Sequence, residues 1–180
     1  MIRLAYVVIA GVLGVASWWL NGIVFQHFEV SPGINLVYWP HGVRVLAVLL
    51  FGLPGAVGLT LSAFLVAPIV YFNEPSLSLL TPFVSGMAPY LARRIVLVET
   101  TRESANLSGL RSAHLISIVT LSALFNAGGH TILRFSVTYG GNYAAEFCAM
   151  LAGDILGALS LLYAIKLGVM ALRRFRGMIR

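Results

Sequence analysis

The sequence has very few charged residues for its length. Only 10% of its 180 residues are Asp, Glu, Lys or Arg, whereas 59% are apolar. A soluble domain carries charge on roughly a quarter of its residues, so this chain cannot supply the charged shell that water solvates. The composition therefore excludes an ordinary soluble domain and indicates a protein whose apolar surface faces a lipid bilayer.

Cysteine and catalytic signatures are also scarce. The single Cys148 cannot form an intrachain disulfide, and its apolar surroundings predict a small buried side chain. The sequence contains no His-Glu-x-x-His, Gly-x-Ser-x-Gly, Cys-x-x-Cys or phosphate-binding loop. His41 and His130 lack a third ligand, so no metal site is predicted. We expect neither catalytic residues nor a cofactor, with an intramembrane enzyme as a minor alternative.

Six apolar segments are each long enough to cross about 30 Å of hydrocarbon as a helix rising about 1.5 Å per residue. The first resembles a signal peptide but continues through Trp18 and Trp19 to Phe25, so we predict a retained helix. The expected fold is an all-α transmembrane bundle of about six spans forming one domain over 1–180. The stretch from Gly128 to Tyr143 is the hardest to place. The segments cover 4–25, 34–53, 55–72, 79–98, 112–129 and 145–172.

The basic residues are distributed asymmetrically along these spans. With the N-terminus inside, most fall in cytoplasmic segments, whereas the predicted external loops carry Glu29 and Glu74 without Lys or Arg. This pattern predicts a multi-pass protein of the bacterial inner membrane with both termini cytoplasmic and membrane lipids as partners. The net charge of +6 does not indicate nucleic-acid binding, because the arginines are not interleaved with stacking aromatics. The residues predicted to be cytoplasmic are Arg3, Arg93, Arg94, Arg102, Arg111, Lys166, Arg173, Arg174, Arg176 and Arg180.

Polar residues within the apolar segments are the candidates for function, because an ionisable group at the bilayer centre costs at least about 2.5–3.5 kcal/mol. Asn126, His130 and Arg134 are spaced four residues apart and would form a stripe along a helix. Glu146 and Asp154 would lie within about 80° of each other around a helix. We expect the two arginines to share an inner surface with these acids, with at least one arginine–carboxylate contact. These residues are His41, Arg44, Asn126, His130, Arg134, Glu146 and Asp154.

The second segment is interrupted at Trp39-Pro40-His41-Gly42, where proline removes a backbone donor and glycine allows close approach. We expect the helix to kink or start afresh there, and broken helices at membrane depth often line binding sites. The sequence predicts a polar cavity for a small ligand between the second, fifth and sixth spans. The alternative is that the charges only pair with one another and hold the bundle in register. The predicted ligand-binding residues are Trp39, His41, Arg44, Asn126, His130, Arg134, Glu146 and Asp154.

Small residues in the first span allow a neighbouring helix to approach closely. Ala10, Gly14 and Ser17 are predicted to serve packing within the bundle or a contact with a membrane partner.

The run from Asn35 to Arg44, continued by Leu46 to Gly52 and Pro54-Gly55, resembles the MASE1 class of bacterial membrane sensor domains. Those domains have a Trp-Pro-Pro-x-Gly helix start, and here His41 replaces the second proline. The segment Ala152 to Gly157 is similar to their later Gly-Asp-x-x-Gly element. This resemblance implies a sensory membrane module.

The length and the predicted six spans also resemble the substrate-binding component of energy-coupling factor vitamin transporters. That resemblance implies a transport role, with docking on a coupling subunit through small residues of the first helix.

Overall fold

A computed structural model of the chain describes residues 1–98, 111–137 and 141–178. A 3-10 turn at Gln26–Phe28 and an antiparallel pair of short strands, β1 Glu29–Ser31 and β2 Ile34–Asn35, connect the first two helices. Arg102 and Arg180 lie outside the described residues, as do the side chains of Arg174 and Arg176. The helices are α1 Ile2–Val24, α2 Trp39–Phe51, α3 Leu53–Val70, α4 Pro75–Val98, α5 Ser112–Val137 and α6 Tyr143–Met178.

The predicted all-α helical bundle is confirmed, and among the described residues four helices are long and apolar enough to cross a membrane. These four are α1, α3, α5 and most of α6. Water would not solvate such surfaces, so the chain is a membrane protein with transmembrane helices. The helix α4 has 24 residues, but two arginines and three prolines make it less apolar.

Successive helices run in opposite directions. Tyr6 near the start of α1 stacks on Phe51 at the end of α2, and Phe64 of α3 packs edge-to-face on Phe83 of α4. Val84 of α4 lies beside Gly129 of α5. Side-chain hydrogen bonds between α5 and α6 likewise join late residues of one to early residues of the other. The bundle therefore has a hairpin end, which carries β1 and β2, and an opposite arginine end, which carries Arg93 and Arg94.

The second helix is shorter than the sequence suggested. It begins at Trp39, with Pro40 in its first turn where a missing backbone donor costs little, so the prediction that a helix starts afresh here is confirmed. The expectation of one span over 34–53 is wrong, because residues 29–35 form the hairpin instead. At 13 residues α2 rises only about 20 Å. It is tolerated because it contacts the other five helices of the described chain and is mostly buried among them.

The fifth helix is longer than expected. It continues through Gly128 and Gly129 to Val137, whereas the apolar pattern placed its end at 129. A side chain at Gly129 would collide with Val84, so glycine here serves close packing against α4 and not a helix end. The predicted stripe of Asn126, His130 and Arg134 therefore lies on one continuous helix.

Small residues allow α1 to pack closely against α3 of the same chain. Ala10 is fully buried beside Gly58, and a side chain at Gly14 would collide with Ser62. Ser17 donates a hydrogen bond to the carbonyl of Gly14 one turn earlier. Two of the three small residues thus pack within the bundle, while a partner contact through α1 stays a prediction.

One prediction about burial is wrong. Cys148 is exposed on the outer surface of α6, because its position on the helix turns away from α5 and α2.

Candidate functional site

Two glycines of α6 fix the start of α2 against that helix. A side chain at Gly153 would collide with the backbone carbonyl of Asn35, and one at Gly157 would collide with the backbone of Tyr38. The backbone N–H of Tyr38 donates to the carbonyl of Gly153 at 3.0 Å. The chain that enters α2 therefore packs on the Gly-Asp-x-x-Gly segment, and we call the surface at Gly153 and Gly157 the seat. Asp154 lies between these two glycines.

Trp39 joins the start of α2 to α1 and to α6 through hydrogen bonds. Its indole N–H donates to Ser160 Oγ at 3.0 Å, and its backbone N–H donates to the buried Asn21 Oδ1 at 2.9 Å. Its ring packs edge-to-face on Phe25. These contacts make Trp39 an anchor for the start of α2.

Asp154 is the centre of a buried polar cluster between α2, α5 and α6, the three helices that the sequence predicted to converge. Asn126 Nδ2 donates to Asp154 Oδ2 at 2.7 Å, and His41 Nδ1 lies 3.4 Å from the same oxygen. The exposed fractions of His41, Asn126 and Asp154 are 0%, 3% and 1%. No cation from Arg or Lys contacts this carboxylate within the part of the chain that the structure describes.

The predicted arginine–carboxylate contact occurs between Arg134 and Glu146. Arg134 Nε lies 3.0 Å from Glu146 Oε2, and Nη2 donates to Oε1 at 3.1 Å. The pair is therefore one charge-assisted hydrogen bond from Nη2 with a close ion-pair contact at Nε. The pair joins the last turns of α5 to the first turn of α6 near the hairpin end.

Arg44 does not pair with an acid, contrary to the sequence-based expectation. Its Nη2 donates to the hydroxyl of Tyr38 at 3.3 Å, and its guanidinium carbon lies 5.3 Å from the centroid of the same ring. Across residues 1–98, 111–137 and 141–178, no carboxylate oxygen lies within 4.0 Å of its nitrogens. Instead, Asp154 accepts a hydrogen bond from Asn126 of α5, and the guanidinium of Arg44 donates to Tyr38 at the start of α2.

His130 completes the polar surface on the opposite side. Ser85 Oγ of α4 lies 2.9 Å from its Nε2, and the hydroxyl of Tyr71 lies 3.3 Å from its Nδ1. Both ring nitrogens are thus satisfied, and the imidazole links α5 to α4 and to the end of α3.

A cavity of about 60 Å³ lies between these groups, with room for about four to six water-sized groups. All six helices and the hairpin contribute to its wall. Four predicted site residues line it, namely Arg44, Asn126, His130 and Asp154. The other four predicted residues, Trp39, His41, Arg134 and Glu146, are not part of the lining.

A second space of about 270 Å³ adjoins the cavity on the hairpin side. The two share Trp18, Gly33, Asn35, Tyr38 and Val70 as common walls. The second space continues along the hairpin to Glu29 and Pro32. It therefore lies between the cavity and the hairpin end of the bundle and is the candidate path from one to the other.

Sequence reasoning missed several polar wall residues, namely Asn35, Tyr38, Tyr71, Thr81 and Ser85. Their side chains are neutral, so the cost argument that singled out the ionisable residues gives no signal for them. The available clue to these wall residues is an amide side chain in an apolar run, or a hydroxyl side chain beside an arginine in such a run.

No group of three or more His, Cys, Asp or Glu side chains that could hold a metal ion occurs among the described residues. Comparison of the chain with protein-family models, with curated proteins and with solved structures gives no match. The similarity to MASE1 domains therefore stays a prediction based on its two short segments.

Proposed function

We propose that this chain is a multi-pass protein of the bacterial inner membrane that binds a small ligand in the cavity beneath its hairpin. One observation carries the proposal: Arg44 and Asp154 line the same cavity without contacting each other. Opposite charges in a low-dielectric interior attract strongly, so groups that served packing alone would be expected to close into a pair. These two are held apart by other partners.

The same bundle contains a closed pair for comparison. Arg134 and Glu146 contact each other at two points and lie outside the cavity lining, as expected of charges that only fasten two helices. The open charges lie on α2 and α6, and the closed pair lies on α5 and α6. This contrast supports binding in the cavity over the alternative in which every charge is structural.

We favour a sensory role for the binding event, as the resemblance to MASE1 domains implies. Asp154 reaches the cavity from α6, whose 36 residues rise about 54 Å, well beyond a bilayer core. Leu162 still packs in the core, but every residue from Tyr163 to Arg173 is exposed. A ligand at Asp154 would thus act on a helix whose later part is exposed and could transmit a movement to an output protein.

The substrate-binding component of a transporter is the second candidate. The path from the cavity to the hairpin end supports it, because that end is external in the proposed topology and would admit an extracellular nutrient. Proteins that copurify with the full chain in mild detergent separate the two roles. A kinase or cyclase supports sensing, whereas an ATPase pair with a coupling subunit supports transport.

Binding in the cavity is tested by analysing small molecules released on denaturing the purified full chain. We expect a bound non-lipid molecule in the unmodified protein and its loss in Ala63→Phe, because Ala63 lines the cavity and the ring would fill it. Ala171→Phe is the matched control, since Ala171 is exposed on α6. Retention of the same molecule by a folded Ala63→Phe protein, or no bound molecule in the unmodified protein, would overturn the proposal.

A further inference from the structure

The cavity has two polar corners of opposite chemical character. A cationic corner is formed by Arg44 and the hydroxyl of Tyr38, and an acceptor corner is formed by Asp154 and Asn126. All four residues line the cavity. The chemistry left unused in each corner indicates what kind of ligand would fit between them.

The acceptor corner offers oxygens without donors. Asn126 turns its amide nitrogen to Asp154 Oδ2. Its own Oδ1 has no hydrogen-bond partner among the described residues, although the residue is only 3% exposed. Both contacts of the Asp154 carboxylate, from Asn126 and His41, use Oδ2, which leaves Oδ1 for a further donor. A buried acceptor without a partner is costly. An ammonium group, with three donors and a positive charge, suits the unused Oδ1 of Asp154.

The cationic corner offers donors without acceptors. A guanidinium has five N–H donors in a planar fork, and Arg44 uses one of them for Tyr38. A phenol is a neutral acceptor and leaves the charge of Arg44 uncompensated. A carboxylate can bind the fork at two points with charge-assisted hydrogen bonds. In this same bundle Arg134 pairs with the carboxylate of Glu146 through one hydrogen bond from Nη2 and a close Nε contact.

The balance of charge decides between simple ions and a molecule that carries both signs. A simple anion at Arg44 would leave Asp154 without a counter-charge, and a simple cation at Asp154 would do the same to Arg44. The nearby Arg134 and Glu146 neutralise each other and do not change this balance. A molecule that lies wholly within the cavity volume of about 60 Å³ has about four to six non-hydrogen atoms.

Resting on the proposed function, we infer that the ligand is a small zwitterion with a carboxylate at Arg44 and an ammonium group at Asp154 and Asn126. Short amino acids such as glycine and β-alanine belong to this chemical class and match the size of the cavity. The ligand would reach this position past Tyr38 and Gly33, which border both the cavity and the path to the hairpin end.

The first test needs no substitution. Binding of labelled glycine and β-alanine to the full chain in lipid nanodiscs is measured by equilibrium dialysis, alongside acetate and methylammonium, which each carry one of the two charges. We expect at least one zwitterion to bind at least about tenfold more tightly than either single-charge probe, because it satisfies both corners. Equal affinity for acetate or methylammonium would overturn the inference.

Charge-removing variants provide an independent test. Asp154→Asn should shift the preference towards acetate and Arg44→Gln towards methylammonium, each by at least about tenfold, since one corner loses its charge while the other is kept. Glu74→Gln and Arg94→Gln are matched controls, because neither residue lines the cavity or the path. Unshifted preferences in folded Asp154→Asn and Arg44→Gln proteins would contradict the inference.

The outcomes also separate this inference from the proposed function. If the purified chain carries a bound molecule that Ala63→Phe removes, but glycine and β-alanine show no preference over the single-charge probes, the cavity binds a ligand of another class. If no molecule is bound and none of the four probes binds, both the inference and the proposed function are wrong.

Discussion

At the scale of single residues, the polar groups of this bundle fall into two kinds that the sequence does not separate. Arg134 and Glu146 form an ion pair. Arg44 and Asp154 instead face a cavity, and their hydrogen-bond partners are the phenol of Tyr38 and the amide of Asn126. Both kinds are equally costly to place in an apolar segment, so this energetic cost identifies both equally well in the sequence. Their partners are decided by which helix faces which, and only the structure supplies that information.

The closed pair should behave as a coupled unit in stability measurements. We expect Arg134→Gln and Glu146→Gln each to lower the free energy of unfolding by about 1–3 kcal/mol, because each leaves a partly buried charge without its partner. The double variant should lose less than the sum, with a coupling energy of at least about 0.5 kcal/mol. Unfolding of the full chain in mixed detergent micelles provides the measurement. Strictly additive losses would show that the contact does not stabilise the bundle.

The site could be predicted from the sequence only where a residue is expensive in a membrane. The sequence identifies Asn126, His130 and Asp154 because a stripe with a four-residue spacing and two acids eight residues apart stand out in apolar runs. Tyr38 was missed, although it is the partner of Arg44, because it precedes the helix and its contact follows no helical spacing. Ser85 was missed because a hydroxyl in an apolar helix commonly bonds its own backbone.

At the scale of elements, the chain from Ile34 to Tyr38 shows where prediction from composition fails. These residues are mostly apolar and lie next to an apolar helix, so they were assigned to it. Strands of three and two residues are too short to show the alternation that identifies a strand. Their conformation depends on the groove at Gly153 and Gly157, more than a hundred residues away. The start of α2 at Trp39 was predictable because Pro40 acts locally.

The seat at Gly157 can be tested with a control on the same helix. Gly157→Ala should destabilise the protein by about 1–3 kcal/mol or more, because the added methyl group would collide with the backbone of Tyr38, which cannot shift like a flexible side chain. Gly168→Ala should leave stability unchanged or raise it by about 0.4–1 kcal/mol, since its surroundings are open and alanine favours helix. Thermal unfolding of both variants in detergent measures the difference. Equal effects would mean that Gly157 is not a packing seat.

The same seat connects the element scale to ligand binding. If α6 moved relative to α2, the Tyr38 hydroxyl and Asp154 would move with their own elements, and the distance between the cationic and acceptor corners would change. Ligand binding across the two corners would therefore bias the packing at Gly153 and Gly157. This is a physical route by which occupancy of the cavity reaches the exposed part of α6.

At the scale of the whole molecule, the alternation of helix direction and the distribution of charge agree. Because successive helices are antiparallel, Arg3, Arg93 and Arg94 lie at one end of the bundle, and the hairpin with Glu29 lies at the other. Basic residues favour the cytoplasmic side, so this arrangement predicts an external hairpin and a cytoplasmic arginine end. The short α2 crosses the bilayer only together with the hairpin, which extends the chain beyond the N-terminal end of α2.

Cysteine labelling in intact bacterial cells tests this topology. In a Cys148→Ala background, which removes the exposed native thiol, Glu29→Cys should react with a membrane-impermeant maleimide before lysis, because Glu29 is exposed in the hairpin. Arg94→Cys should react only after the membrane is opened, since Arg94 is exposed at the arginine end. The reactivity of each thiol after lysis is the control that both sites are accessible to the reagent.

The two labelling results must be opposite, because six antiparallel helices place these sites at opposite ends of one bundle. Reaction of Arg94→Cys but not Glu29→Cys in intact cells would invert the orientation and leave the fold intact. A path that opens at the hairpin would then face the cytoplasm, which would remove the support for uptake of an external nutrient. Reaction of both thiols before lysis would contradict a membrane-spanning bundle, because the arginine end would then lie on the same side as the hairpin.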